Sequence, residues 1–126
     1  MTTNRLMIVD DSLIMRMKIK EIATEVGWDV VAEAADGGEA LELFQQHRPE
    51  LVTLDMVMPE MDGLAALKAI RAVDPQAQVC MVSAVDQKQK LNECIASGAM
   101  DFIVKPFEPA RLRAFFARYR KDETVA

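Results

Sequence analysis

The stretch Leu51-Val52-Thr53-Leu54-Asp55-Met56-Val57-Met58-Pro59-Glu60-Met61-Asp62-Gly63 opens on a short apolar run, breaks at an acid, passes a proline and ends on an aspartate followed by glycine. The apolar run Leu51 to Leu54 has the length and composition of a buried strand, and Asp62 stands where a side chain caps a helix. Beyond it Leu64, Leu67 and Ile70 recur at helical spacing. The stretch therefore reads as a strand, a loop carrying a carboxylate, and a helix.

The same unit repeats on either side. Leu6 to Val9, Val30 to Ala34, Val79 to Val82 and Phe102 to Val104 are short runs bounded by Asp, Gly, Pro or Ser and read as further strands. The segments between them carry helical spacing: Ile14, Met17, Ile22 and Val26; Ala40, Leu41 and Phe44; Leu91, Ile95 and Ala96; Leu112, Phe115 and Phe116. Asp36 with Glu39 resembles a capping box, Asp86 can cap the fourth helix, and Pro109 suits a first turn after Glu108. Gly27 and Gly98 stand at left-handed helix endings, while Pro49 and Pro75 follow helix ends.

Several strands are apolar on both faces, as parallel strands covered by helices on each side must be. The expected fold is therefore a doubly wound (βα)5 α/β sandwich, a five-stranded parallel sheet with helices on both faces. At 126 residues, with no composition shift or repeat, the chain reads as one domain over 1–126, with a core of about 5–120 and a frayed tail at 122–126.

Composition excludes several classes. The hydrophobic share of 51% and charged share of 28% are those of an ordinary globular protein. There is no long apolar span and no signal-peptide layout, so a cytoplasmic protein without membrane attachment is expected. A formal charge of -5 argues against nucleic acid as a partner. The cations Arg111, Arg113, Arg118, Arg120 and Lys121 read as a solvated helix face more than as a partner surface. Cys80 and Cys94 have no neighbouring ligand at metal spacing and read as buried thiols in a reducing compartment, the methionines as gap-filling residues, and His47 as a surface residue.

In doubly wound sheets the ligand crevice lies beyond the carboxyl ends of the strands. Asp10 and Asp11 follow the first strand, Asp55 the third, Ser83 the fourth and Lys105 the fifth. Taken singly, each has a plainer reading: a turn-forming aspartate, a capping serine, a surface lysine. Taken together they place three carboxylates, a hydroxyl and an ammonium on one rim. Three carboxylates in proximity either raise a pKa or recruit a cation, and an all-oxygen set suits a hard divalent ion, Mg2+ in a site that handles phosphate. With such an ion an Asp carboxylate can attack phosphorus and form an acyl phosphate, while Lys105 and Ser83 can bind phosphoryl oxygens.

Four stretches, Ile8-Val9-Asp10-Asp11-Ser12, then Leu54 to Gly63, then Val82-Ser83-Ala84, then Asp101-Phe102-Ile103-Val104-Lys105-Pro106-Phe107, resemble those of the response-regulator receiver domains of two-component signalling. The similarity runs from about Arg5 to Tyr119. It implies a flavodoxin-like fold in which a phosphohistidine on a sensor histidine kinase donates to Asp55. It further implies that Asp11, Asp55 and the Val57 backbone carbonyl bind Mg2+ directly, that Asp10 acts through water, and that Lys105 and Ser83 hold the phosphoryl group. The Lys105–Pro106 bond is often cis in this family.

The resemblance also implies a switch in which Ser83 moves toward the phosphoryl group and Phe102 turns inward; the plainer reading of Phe102 is a permanently buried core aromatic. Val57 and Val85 stand where many family members carry polar groups that influence an attacking water, so self-dephosphorylation is expected to be slow. Among such regulators the chain is similar to the stand-alone, CheY-like chemotaxis type, with Met15-Arg16-Met17 and Phe107-Glu108-Pro109 contributing. That type implies a monomer with a CheA-like kinase and a downstream protein such as the flagellar motor switch or a phosphatase, and no output domain of its own.

No turnover of an external substrate is expected beyond promoted phosphorylation and dephosphorylation of Asp55. A haloacid-dehalogenase-like phosphatase is disfavoured because it needs acids two residues apart after the first strand, where Ser12 and Leu13 follow Asp11. A flavin or nucleotide binder is disfavoured because two carboxylates occupy the loop that would need glycine. A phosphorelay intermediate and a non-phosphorylated interaction module stay open.

Overall fold

In a computed structural model that describes residues 4–59, 61–84 and 88–121, strands and helices alternate from one end to the other. They are β1 (Arg5–Val9), α1 (Leu13–Glu25), β2 (Asp29–Ala34), α2 (Gly37–His47), β3 (Leu51–Asp55), α3 (Gly63–Val73), β4 (Gln78–Ala84), α4 (Lys88–Ala96), β5 (Asp101–Lys105) and α5 (Pro109–Tyr119). The sheet order is β2-β1-β3-β4-β5 and every pairing is parallel. This is the doubly wound (βα)5, flavodoxin-like arrangement. The order reverses between β1 and β3, which places the crevice of the sheet between the ends of those two strands.

Alternation along the strands divides the core in two. Met7, Val9, Val52, Leu54, Val79 and Met81 pack with Phe44, Leu67, Ile70 and Leu91 under α2, α3 and α4. Leu6, Ile8, Leu51, Cys80 and Ile103 pack with Ile19, Ile22, Leu112, Phe115 and Phe116 under α1 and α5. Each side chain of this size contributes about 1.5–3 kcal/mol when fully buried. Trp28 tilts against Phe116 at 6.0 Å between ring centroids, and its indole N–H donates to the Phe116 carbonyl at 2.9 Å. That bond satisfies the one polar atom of a buried indole and fixes the end of α5.

The caps read from the sequence are in place. The Asp36 side chain accepts from the Glu39 amide, the Asp62 side chain accepts from the Ala65 amide, and Pro109 occupies the first turn of α5. The second half of the expected box reaches one residue further back, Glu39 accepting from the Ala35 amide at 2.9 Å. Gly27 and Gly98 have φ of +98° and +104°, and Arg48 closes α2 in the same left-handed region at 44°. Asp86, Val85 and the tail 122–126 lie outside the described residues.

Three expectations are corrected. The buried stripe of α1 is Ile19, Ile22 and Ala23, whereas Ile14 is 78% and Met17 is 61% exposed. In α4 the inward residues are Leu91 and Cys94, with Ile95 and Ala96 exposed. The strands also run further than their apolar cores: Asp55, Ser83 and Lys105 lie within β3, β4 and β5, because main-chain pairing continues through Asp55 with Val82, Ser83 with Val104 and Ala84 with Lys105. His47 is partly buried at the end of α2.

Candidate functional site

The carboxyl ends of β1 and β3 bring Asp10, Asp11 and Asp55 together, one oxygen from each lying within 4.8 Å of the others. Their surroundings differ. Asp10 is 1% exposed and both of its oxygens have protein partners: Oδ1 accepts from the Ser12 amide at 2.9 Å, and Oδ2 accepts from Lys105 Nζ at 2.9 Å. The first of these bonds fixes the turn into α1, whose N-terminus Ser12 caps by accepting from the Met15 amide. Asp11 is exposed. Asp55 is 7% exposed and faces Lys105 Nζ at 3.3 Å.

Lys105 reaches the cluster from the end of β5 and bridges Asp10 and Asp55. The bond that follows it, Lys105–Pro106, is cis. Burial pushes the Asp55 carboxyl above its ordinary 3.8; Lys105 opposes the rise, while Asp10 and then Asp11 add to it. Burial alone would lower the Lys105 ammonium, yet the hydrogen bond to Asp10 and the charge of Asp55 outweigh it and hold the group above its ordinary 10.5. The ammonium stays charged at neutral pH and compensates one of three negative charges. A donor set made only of oxygens, carrying uncompensated negative charge, fits a hard divalent cation. Asp11 and Asp55 have oxygens to offer it, whereas Asp10 is already held on both.

The loop after Asp55 is set by Gly63. Its amide donates to the Met56 carbonyl at 2.7 Å, and a Cβ at this position would collide with the Asp55 carbonyl oxygen and the Met56 Cα. Only glycine lets α3 start this close to the strand that carries Asp55. The Val57 side chain, on the same loop, is 57% exposed.

Ser83 is 1% exposed at the end of β4, and its hydroxyl donates to the Ala84 carbonyl at 3.4 Å, a weak contact, with no hydrogen bond to the three carboxylates or to Lys105. The structure therefore brings Asp10, Asp11, Asp55 and Lys105 into one cluster and leaves the Ser83 hydroxyl beside it. Phe102 is 39% exposed, so the reading of a permanently buried core aromatic is wrong. β5 is an edge strand, which leaves Phe102 open to solvent on part of its surface.

The cysteines hold no chemistry here. Both are free and buried, and burial raises their thiols, Cys94 to about 11, so neither is a thiolate at neutral pH. Arg16, not singled out above as a site residue, does touch the cluster: its Nη1 donates to the Asp10 carbonyl at 2.7 Å. A signal existed, because helical side chains lean toward the N-terminus and a cation one turn into α1 points back at the loop that opens it.

No described helix is long and apolar enough to cross a membrane. The family model described as response regulator receiver domain matches residues 6–117. The chain is 50% identical over 109 residues to the chemotaxis protein CheY of Bacillus subtilis, covering 86% of this chain and 91% of that protein. It is 46% identical over 108 residues to CheY of Thermotoga maritima, covering 86% and 90% of the two chains. Among solved structures, the CheX-CheY-BeF3-Mg2+ complex from Borrelia burgdorferi contains a chain that matches with a TM-score of 0.85 at 37% identity, covering 93% of this chain and 90% of that one. A parallel sheet whose switch point carries three clustered aspartates and a bridging lysine, matched over nearly its whole length, places this chain in the response regulator receiver domain family.

Proposed function

We propose that this chain accepts a phosphoryl group on Asp55 from the phosphohistidine of a CheA-like sensor kinase and, as a monomer, passes the resulting change to a protein partner in chemotactic control. The observation that carries this reading is the Lys105 ammonium held between Asp10 and Asp55 at 2.9 and 3.3 Å. A cation that bridges a buried carboxylate and the acceptor carboxylate can release one of them for a phosphoryl oxygen without leaving the site.

In the transfer an Asp55 oxygen forms a bond to phosphorus as the bond from phosphorus to the imidazole nitrogen breaks, and the electron pair of that bond leaves on the imidazole. Lys105 turns to the incoming phosphoryl oxygens, and the Ser83 hydroxyl exchanges its 3.4 Å contact with Ala84 for a stronger one. Asp11, Asp55 and the Val57 carbonyl would hold Mg2+, with Asp10 acting through water, and the chemistry the ion would supply is neutralisation of the charge gathered on carboxylates and phosphoryl oxygens. Movement of Ser83 makes room for Phe102, whose exposed ring turns inward and alters the face formed by α4, β5 and α5.

The chemotactic assignment rests on the similarity to CheY proteins over most of their length. It makes the partner a flagellar motor switch component or a phosphatase, and the compartment the cytoplasm. The test is intact mass after incubation with acetyl phosphate and Mg2+, on wild type and Asp55→Asn, with EDTA as control. A single Mg2+-dependent phosphoryl adduct on wild type alone is expected. A folded, Mg2+-binding protein that takes no adduct from acetyl phosphate or from a phosphorylated CheA-type kinase would overturn the reading.

A further inference from the structure

Asp10 and Asp11 are adjacent in the chain yet live in opposite environments, one 1% exposed and turned to Lys105, the other exposed at the mouth of the site. The orientation of the peptide unit between them decides this division. Its carbonyl, that of Asp10, lies just past the last β1–β2 pair, Val9 with Ala34: the Asp10 amide still donates to the Ala34 carbonyl at 3.0 Å, but β2 ends there and the Asp10 carbonyl accepts from no strand amide among the described residues. Arg16 supplies the donor: Nη1 reaches back from α1 to that carbonyl at 2.7 Å, the length of a charge-assisted bond.

The arginine is itself held. Its side chain is only 15% exposed, and a guanidinium in that setting needs a partner. Nε donates to Glu33 Oε1 of β2 at 3.2 Å, and the other Glu33 oxygen faces Lys20 Nζ at 3.5 Å. One guanidinium thus spans the strand-end carbonyl and the β2 carboxylate at once, which the single ammonium of a lysine cannot reproduce in the same geometry.

We propose that Arg16 is a positioning residue for the metal and phosphoryl site, fixing the Asp10–Asp11 peptide so that one carboxylate faces Lys105 and the other faces outward, and that Glu33 holds Arg16 in this pose. The inference rests on the receiver reading given above and assigns two further residues to it.

The sign of the effect separates positioning from two plainer roles. Arg16 is a cation close to a cation site, so if it acted only through charge, its removal would tighten Mg2+ binding. An ion pair that merely fastens α1 to β2 would cost stability and leave Mg2+ affinity unchanged. Positioning predicts weaker binding, because the freed peptide must be reordered each time the ion binds.

The test is calorimetric titration of the full chain with Mg2+, alongside urea unfolding in EDTA. Arg16→Met should weaken Mg2+ binding roughly tenfold, the scale on which outer partners of metal ligands act. Arg16→Lys should fall between it and wild type, and Glu33→Gln should weaken binding to a smaller degree. The double variant should be no weaker than Arg16→Met alone, since both changes release the same peptide. Unchanged or tighter Mg2+ binding by folded Arg16→Met overturns the proposal. If Arg16→Met does not fold, Arg16→Lys, which keeps the charge, decides: unchanged or tighter Mg2+ binding overturns the proposal and weaker binding supports it. Absence of any Mg2+ heat with wild type would overturn the receiver reading and this inference together.

Discussion

Replacing the proposed phosphoacceptor, Asp55→Asn, should stabilise the metal-free protein. At an effective dielectric of about 20, a like charge at 4.8 Å, the outer limit of the cluster, opposes ionisation of Asp55 by roughly 3.5 kcal/mol, and Lys105 at 3.3 Å favours it by roughly 5 kcal/mol. Asp10 acts at nearly full strength because it is buried, while Asp11, being exposed, is screened. The pair interactions therefore almost cancel, and burial of the charge decides, in agreement with the upward displacement of the Asp55 carboxyl. With the group at the rim of the sheet and not in its centre, neutralisation should be worth about 1–2 kcal/mol, or about 4–8 °C in Tm for a domain of this size.

A carboxyl whose folded value is raised contributes stability that is present below its ordinary 3.8 and is lost as pH rises through the folded value. In EDTA the two proteins should accordingly converge at acid pH, and the variant should pull ahead as pH rises toward neutrality. Mg2+ should reverse the ranking. At a hundredfold excess over its Kd the ion adds about 2.7 kcal/mol to a protein that binds it, and the variant lacks one of the carboxylates that would do so. Urea unfolding in EDTA and in Mg2+, from pH 4 to pH 8, reads both effects. An Asp55→Asn variant less stable than wild type in EDTA, or one that gains as much from Mg2+, would refute the reasoning.

Lys105→Ala leaves Asp10 and Asp55 without their cation and should cost about 2–3 kcal/mol in EDTA, by urea unfolding, since breaking a buried pair costs more than the pair contributes. Its Mg2+ binding should survive, and so should phosphoryl uptake by intact mass, but phosphorylation should no longer change amide exchange in β4 and β5; a preserved exchange response would remove Lys105 from the switch. Gly63→Ala puts a methyl group against the Asp55 carbonyl and should cost about 1–3 kcal/mol and slow phosphoryl uptake, whereas wild-type stability and uptake would show that α3 can shift freely. The exposed, apolar Val57 cannot orient water, so the phosphorylated protein should decay slowly and Val57→Asn should shorten its lifetime; a wild-type half-life of only seconds would contradict this.

The architecture was legible because the features that announce it are local. Asp36, Asp62 and Pro109 start helices by contacts within a few residues, and Leu6 to Val9 of β1 and Leu51, Val52 and Leu54 of β3 are apolar on both faces because helices cover both sides of the sheet. What could not be read was which of two apolar stripes α1 buries. Leu13, Ile14 and Met17 form one and Met15, Ile19, Ile22 and Ala23 another, and helical spacing admits both. The choice belongs to α5 and the sheet, since Phe115, Phe116 and Ile8 already fill the space that Ile19 and Ile22 meet. Phe102 failed for a related reason: its strand is at the edge, where the rule that both faces are covered stops applying.

The site was legible to the extent that position alone determines it. Strand ends point the same way in a parallel sheet, so acids just past β1 and at the last residue of β3 and a lysine at the last residue of β5 converge without any knowledge of their side-chain conformations. Orientation is another matter. Ser83 is where it was expected, but its hydroxyl points to Ala84, a choice among rotamers that the residue type leaves free. Arg16 escaped for a deeper reason. It serves the site through a bond to a backbone carbonyl, and every residue has such a carbonyl, so no pairing of residue types marks the contact. The residues proposed to touch a phosphoryl group announce themselves by their chemistry, while those that aim them are found only by asking where each strand-end carbonyl goes.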